Sequence, residues 1–246
     1  MGVADFGRLL LGTIIYRPYV YLFLLCFLLF GLFHFGWKRT LQFLVIMYLL
    51  AFVSEYSSTR WGVPFGIYTY LDETRTRELW ISNIPFWDSL SFVFLSYFSF
   101  VLAAAALFPR DLERGLQAWK TPFFGGLLMM LLDVVIDPLA LRGDRWFLGR
   151  IYFYPHGGSY FGVTLSNFLG WFVLGVFSQW IFQKIGFWKP SRKLGSRFVW
   201  GVYGVYAGVF GFNLAMTAWI HEYYLLLASV SVALLTLGSV FFLINS

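Results

Sequence analysis

The sequence predicts an all-α fold, a polytopic integral membrane helical bundle of about seven transmembrane helices with re-entrant or interfacial loops. Three observations predict it. Of 246 residues, 59% are hydrophobic and only 12% are charged, where an ordinary soluble domain is about 25% charged. Aromatic side chains make up 23% of the chain, more than one soluble core can hide. The apolar residues also fall in runs of roughly 20, the length that crosses a hydrocarbon layer. Together these exclude a disordered chain, a coiled coil and almost any soluble fold.

The first span runs from about Tyr16 to Gly36. It is long for a signal peptide and lacks a small-residue cleavage site, so a retained helix is expected. The second covers Thr40 to about Tyr56, the third about Phe86 to Phe108, and the fourth Trp119 to about Leu141. The fifth covers Phe161 to Ile185, the sixth Phe198 to Ile220, and the seventh Tyr223 to Ile244. No repeat, low-complexity tract or long linker divides them, so residues 1–246 are expected to form one membrane-embedded catalytic domain. The lone Cys26 lies inside an apolar run, which excludes an intramolecular disulfide.

The net charge of +6 comes from Lys and Arg in short loops between apolar runs. That is a membrane-topology pattern, and no basic stretch is long enough to track a nucleic acid backbone. Lipid is therefore the expected partner, nucleic acid is not, and the expected location is the cell membrane. The fifth loop, with Lys184, Lys189, Arg192, Lys193 and Arg197, is the strongest single signal and points to a cytoplasmic fifth loop. The near-even split of basic residues over the two faces leaves orientation open.

Ionisable groups inside spans are costly and mark pathways or sites. Glu55 ends the second span, Asp88 starts the third, and Asp133 and Asp137 lie late in the fourth. Asn167 begins the fifth, and Asn213 and His221 come late in the sixth, followed by Glu222. Alternating helix direction carries all of them toward one membrane face, that of the second, fourth and sixth loops. Each also has a plainer role open to it. Asp133 and Asp137, four apart on one helix face, repel unless protonated or paired, for instance with Arg142 or Arg145. Glu55 could pair with Arg60, Asp88 could serve the helix dipole, Asn167 and Asn213 could tie helices together, and His221 could be a solvated tip.

Two loops on that face are rich in glycine and aromatics. One contains Trp61, Pro64, Phe65, Tyr68 and Tyr70; the other, Arg150 to Ser166, contains Tyr152, Tyr154, His156 and Tyr160. Gly and Pro forbid regular helix there, while the aromatics favour leaving water, so each loop is either a lid dipping into the bundle or part of an interfacial belt.

There is no phosphate-binding loop, dinucleotide fingerprint or Cys/His metal pattern. Asp133-x-x-x-Asp137 alone is weak as a Mg²⁺ site for a prenyl diphosphate, and all five lysines lie in loops or at helix ends, which disfavours a retinal Schiff base. Carboxylic acids buried among aromatics suit cofactor-free proton chemistry on an apolar alkene. A buried acid keeps its proton at neutral pH, while a neighbouring carboxylate and aromatic faces steady a carbocation.

Several motifs carry a resemblance: Glu55, Gly62-Val63-Pro64-Phe65-Gly66-Ile67-Tyr68-Thr69-Tyr70, Asp133-Val134-Val135-Ile136-Asp137-Pro138-Leu139-Ala140, and Tyr160 through Asn167 to Trp171. From Glu55 to Trp171 the chain resembles the CruF-type carotenoid biosynthesis membrane proteins. It departs from them at Thr164, where proline is expected, and in the charged stretch Asp72 to Glu78. The resemblance implies a cofactor-free hydratase that adds water to the terminal double bond of an acyclic (psi) carotenoid end.

It implies catalytic roles for Asp133 or Asp137 as acid, with the water held by Glu55, Asn167 or the other aspartate and Asp88 completing the set. It implies a hydrophobic carotenoid lying among Trp61, Pro64, Phe65, Tyr68, Tyr70, Tyr160, Trp171, Asn213 and His221, with other pathway enzymes as partners. A carotenoid cyclase using the same cation, a prenyl-transferring elongase, and a non-catalytic lipid carrier or scaffold are the alternatives.

Overall fold

The computed structural model describes residues 3–186, 189, 191 and 194–246. Arg192 and Lys193, two of the basic residues of the fifth loop, lie outside them. Among the described residues, seven helices are long and apolar enough to cross a membrane: α2 (Pro18–Phe35), α3 (Trp37–Trp61), α4 (Phe86–Leu107), α6 (Thr121–Ala140), α7 (Leu165–Lys184), α8 (Ser196–Trp219) and α9 (Tyr223–Asn245). The protein is a multi-pass membrane bundle with the expected span count. Two helices were not foreseen, α1 (Val3–Tyr16) before the first span and the short α5 (Leu112–Gln117).

Local chemistry sets the breaks. Pro18 stands in the first turn of α2, where its missing N–H costs nothing, and Arg17 leaves helical geometry to separate α1 from α2. A single residue, Gly36 at φ 78°, turns α2 into α3. The α3 helix shows how a membrane bundle sorts its faces. Leu41, Val45, Leu49 and Val53 form an exposed apolar stripe at every fourth position. Thr40, Phe43, Met47, Ala51, Glu55 and Ser58 face inward. The inward stripe thus carries the polar groups, as lipid demands.

The α4 helix is the hub, buried along almost its whole length and packed by α2, α3, α6, α8 and α9. The tightest helix pair is α6–α7. Gly175 meets Gly126 so closely that a Cβ on Gly175 would lie 2.8 Å from the Gly126 Cα. Small residues let backbones approach where lipid offers no hydrophobic drive. Trp37, Trp61, Trp119 and Trp219 stand exposed at helix ends, as an interfacial belt does.

The loop from Gly62 to Pro85 folds back onto the bundle. It holds the short strands β1 (Thr69–Tyr70), β2 (Trp80–Ile81) and β3 (Ile84–Pro85), the last two forming a hairpin. Strand β1 pairs antiparallel with β4 (Tyr152–Phe153) of the α6–α7 loop, Thr69 opposite Phe153 and Tyr70 opposite Tyr152. This two-residue ladder joins the two aromatic loops over the helix ends.

Candidate active site

The side-chain period of a strand is two, so Tyr68 and Tyr70 project to one side, as do Tyr152 and Tyr154. The β1–β4 ladder lays the four together. Their rings meet edge-on or tilted, with Tyr68 5.3 Å from Tyr70, 5.6 Å from Tyr152 and 6.0 Å from Tyr154. All four are buried, while Thr69, on the opposite side of the strand, is exposed. These phenols roof a cavity of about 100 Å³.

Two carboxyl pairs stand against this roof. In the first, the Tyr70 hydroxyl lies 3.1 Å from Glu55 Oε1 and hydrogen-bonds Asp88 Oδ2, while Ser89 Oγ donates to Glu55 Oε2. Glu55 reaches the site because it continues the inward stripe of α3, and Asp88 because it sits in the first turn of α4. In the second pair, Asn167 Nδ2 donates to Asp133 Oδ2 at 2.6 Å and to Asp137 Oδ2 at 2.8 Å. Tyr154 donates to the same Asp137 oxygen at 3.1 Å. Both aspartates face α7 because they are one helical turn apart, and Asn167 meets them in the first turn of that helix.

The wall between the pairs is apolar and aromatic. Phe92 stacks on Trp171 at 4.2 Å, and Phe65 packs against both. Phe65 is delivered by the loop: its N–H donates to Ser58 Oγ at 2.9 Å. Burial comes first among the causes that push the phenols of Tyr68, Tyr70, Tyr152 and Tyr154 above their ordinary range, reinforced by the nearby carboxyls. They therefore stay protonated, and Tyr70 and Tyr154 donate to the carboxyl groups.

Of the residues expected from sequence, Glu55, Asp88, Asp137, Asn167, Phe65, Tyr68, Tyr70, Trp171 and Asn213 line the cavity. Asp133 lies just behind, held through Asn167. Asn213 lines it while donating to its own helix at Val209 O, 2.9 Å away. Trp61, Pro64, Tyr160 and His221 are not among the lining residues. Trp61 stands in the belt, Pro64 packs its carbonyl over Gly170, and Tyr160 packs on Phe161 and Phe168. His221 is exposed, with Nδ1 3.2 Å from the Tyr223 hydroxyl.

The simpler ion pairs open to the carboxylates do not form. Arg142 and Arg145 both go to Glu222, Arg142 Nε at 3.2 Å, and Arg60 goes to Asn83 at 2.9 Å and lies over the Tyr56 ring. Sequence reasoning passed over Arg17, Tyr19, Trp87, Ser89, Tyr152 and Tyr154 as site residues. Arg17 is buried in a two-pronged pair with Glu78 and lies 4.6 Å above the Trp87 ring, behind the wall that Tyr19 and Trp87 line. The signal that could have found two of these was the repeated Tyr-x-Tyr, 68–70 and 152–154.

A family model described as "Carotenoid biosynthesis protein" matches residues 9–238. The chain belongs to this family. No curated protein and no solved structure matches it. The match takes in every lining residue, from Tyr19 in α2 to Asn213 in α8. The carotenoid biosynthesis family and the seven apolar spans together make a hydrophobic carotenoid and the surrounding lipid the molecules this fold meets.

Proposed function

We propose that the protein is a carotenoid hydratase of the cell membrane, adding water across the terminal double bond of an acyclic (psi) carotenoid end without a cofactor. The observation that carries this reading is the pair of carboxyl centres on one aromatic cavity, Glu55–Asp88 around Tyr70 and Asp133–Asp137 around Asn167. Hydration of an unactivated alkene needs an acid, a stabilised cation and an ordered water. The carboxyl groups provide proton donor and acceptor. Trp87, Phe92 and Trp171 offer π faces to a tertiary cation. The phenols of the roof give a water fixed partners while the apolar wall keeps bulk water away.

In this reading a carboxyl proton goes to the less substituted alkene carbon, and the water oxygen attacks the tertiary carbon. The polyene leaves the site among Phe23, Phe94 and Phe212, which also line the cavity. A diphosphate-handling transferase fits less well, because no Lys or Arg is among the residues lining the cavity and three arginines near it are already paired. Arg17 is held by Glu78, and Arg142 and Arg145 by Glu222. The test is expression in a bacterial host that makes lycopene or γ-carotene. The expected product is heavier by one water. An isomeric cyclised product would make the protein a cyclase, and no product from any psi-end carotenoid would end the proposal.

A further inference from the structure

The two carboxyl centres differ in how many hydrogens bridge them. A phenol has one O–H, whereas a side-chain amide has two N–H groups on one nitrogen. Tyr70 nevertheless has Glu55 Oε1 at 3.1 Å and Asp88 Oδ2 within bonding distance. One O–H can only be split between two acceptors, so two full hydrogen bonds here require one carboxyl to bring its own proton to the phenol oxygen. The Ser89 hydroxyl is already spent on Glu55 Oε2. The first centre is thus one hydrogen short without a carboxyl proton, and both its acids line the cavity.

The second centre is supplied differently. Asn167 offers one N–H to Asp133 Oδ2 and the other to Asp137 Oδ2, and Tyr154 adds its O–H to Asp137. Asp137 receives two donors and needs no proton of its own. Asp133 does not line the cavity, so a proton held there reaches a ligand only through Asp137.

We propose that the Glu55–Tyr70–Asp88 centre delivers the proton to the alkene, and that Asp137, held by Asn167 and Tyr154, is the acceptor that aligns the attacking water. This rests on the hydratase reading and reverses the order in which the motif alone ranks the acids. The carboxyl O–H breaks as the alkene π pair forms a C–H bond, leaving a tertiary cation. A water lone pair forms the C–O bond, and the proton released goes to Asp137. The sum is alkene plus water to tertiary alcohol. The cycle closes when Asp137 returns its proton across the cavity, where the Tyr68 ring packs against both Tyr70 and Tyr154.

The test separates protonation from water capture. Membranes carrying the full chain are incubated with lycopene in D₂O, and both hydrate and deuterium in the recovered carotenoid are measured. With Asp137→Asn, hydrate should fall by about 10²–10⁴-fold, while deuterium still enters recovered lycopene as the cation forms and reverts. With Glu55→Gln, Asp88→Asn or Tyr70→Phe, hydrate and exchange should fall together. Exchange kept in Glu55→Gln and Asp88→Asn but lost in Asp137→Asn overturns the assignment, as does wild-type behaviour in Tyr70→Phe. Tyr70→Phe keeps the ring packing and carries the test if a carboxyl variant is not recovered folded. Wild-type protein that neither hydrates nor exchanges any psi-end carotenoid refutes the hydratase reading itself, and the assignment with it.

Discussion

Arg17 and Glu78 lie 61 residues apart in sequence and meet in an ion pair closed to solvent, with Nε and Nη2 at 3.0 and 2.9 Å from the two carboxylate oxygens. The pair fastens the start of α2 to the loop that carries β1 and the β2–β3 hairpin, and Thr13 Oγ1 adds an acceptor for the N–H of Leu79 at 2.8 Å. It also backs the cavity, since Arg17 lies over Trp87.

Removing one partner strands the other without compensation. Glu78→Gln should destabilise the protein by about 3–5 kcal/mol, whereas Arg17→Met with Glu78→Met together should cost much less. Thermal unfolding in detergent measures this. Equal losses in the single and double variants would mean the pair contributes nothing beyond its packing.

Asn167 should matter through both N–H groups. Hydrogen bonds to charged groups are worth about 1.5–3 kcal/mol each, so Asn167→Ala should lower hydration by about tenfold to a hundredfold or more. Asn167→Asp, which places a third acceptor between two carboxyls, should lower it further. Product yield per unit of purified protein reads both, and a fully active Asn167→Ala would remove the amide from the site.

The roof phenols should not ionise where ordinary tyrosines do. Burial raises Tyr68, Tyr70, Tyr152 and Tyr154, so their neutral donors persist as pH climbs past the usual value of about 10. Titrating phenolate absorbance to about pH 11 should give the same curve for wild type and for Tyr68→Phe or Tyr152→Phe. A missing step in either variant would show that the roof is open to water.

Trp61 and His221, although on the polar face, do not line the cavity. Trp61→Ala and His221→Ala should keep hydration within about twofold, as surface changes usually cost under 0.5 kcal/mol. A tenfold loss of turnover would place them on the route by which substrate enters.

Much of this architecture can be read in the sequence because lipid is a strict solvent. Each span needs its run of apolar residues, so Thr121–Ala140 and Leu165–Lys184 fall where Trp119–Leu141 and Phe161–Ile185 were expected. The convergence of Glu55, Asp88, Asp137 and Asn167 follows from counting helix directions alone. Their partners could not be read that way. Strands of two residues leave no periodic signal, and the β1–β4 contact joins segments on opposite sides of two spans. Nor could sequence say which charge of Asp72–Glu78 is buried. Asp72 pairs with Arg75 in the open, and Glu78 disappears under Arg17. The α1 helix went unseen because its charge reads as an ordinary flank of the first span.

The β1–β4 ladder also sets when the site can exist. Glu55, Tyr70 and Asp88 leave the ribosome together, but the strand that seats Tyr70 comes only after α4 and α6 have been made. During that interval the first carboxyl centre has its own donors and no roof. The roof is therefore a late product of synthesis, laid down when the α6–α7 loop arrives and the chain's two halves share one small sheet. The cavity beneath it closes only after α7 and α8 supply Asn167, Trp171 and Asn213.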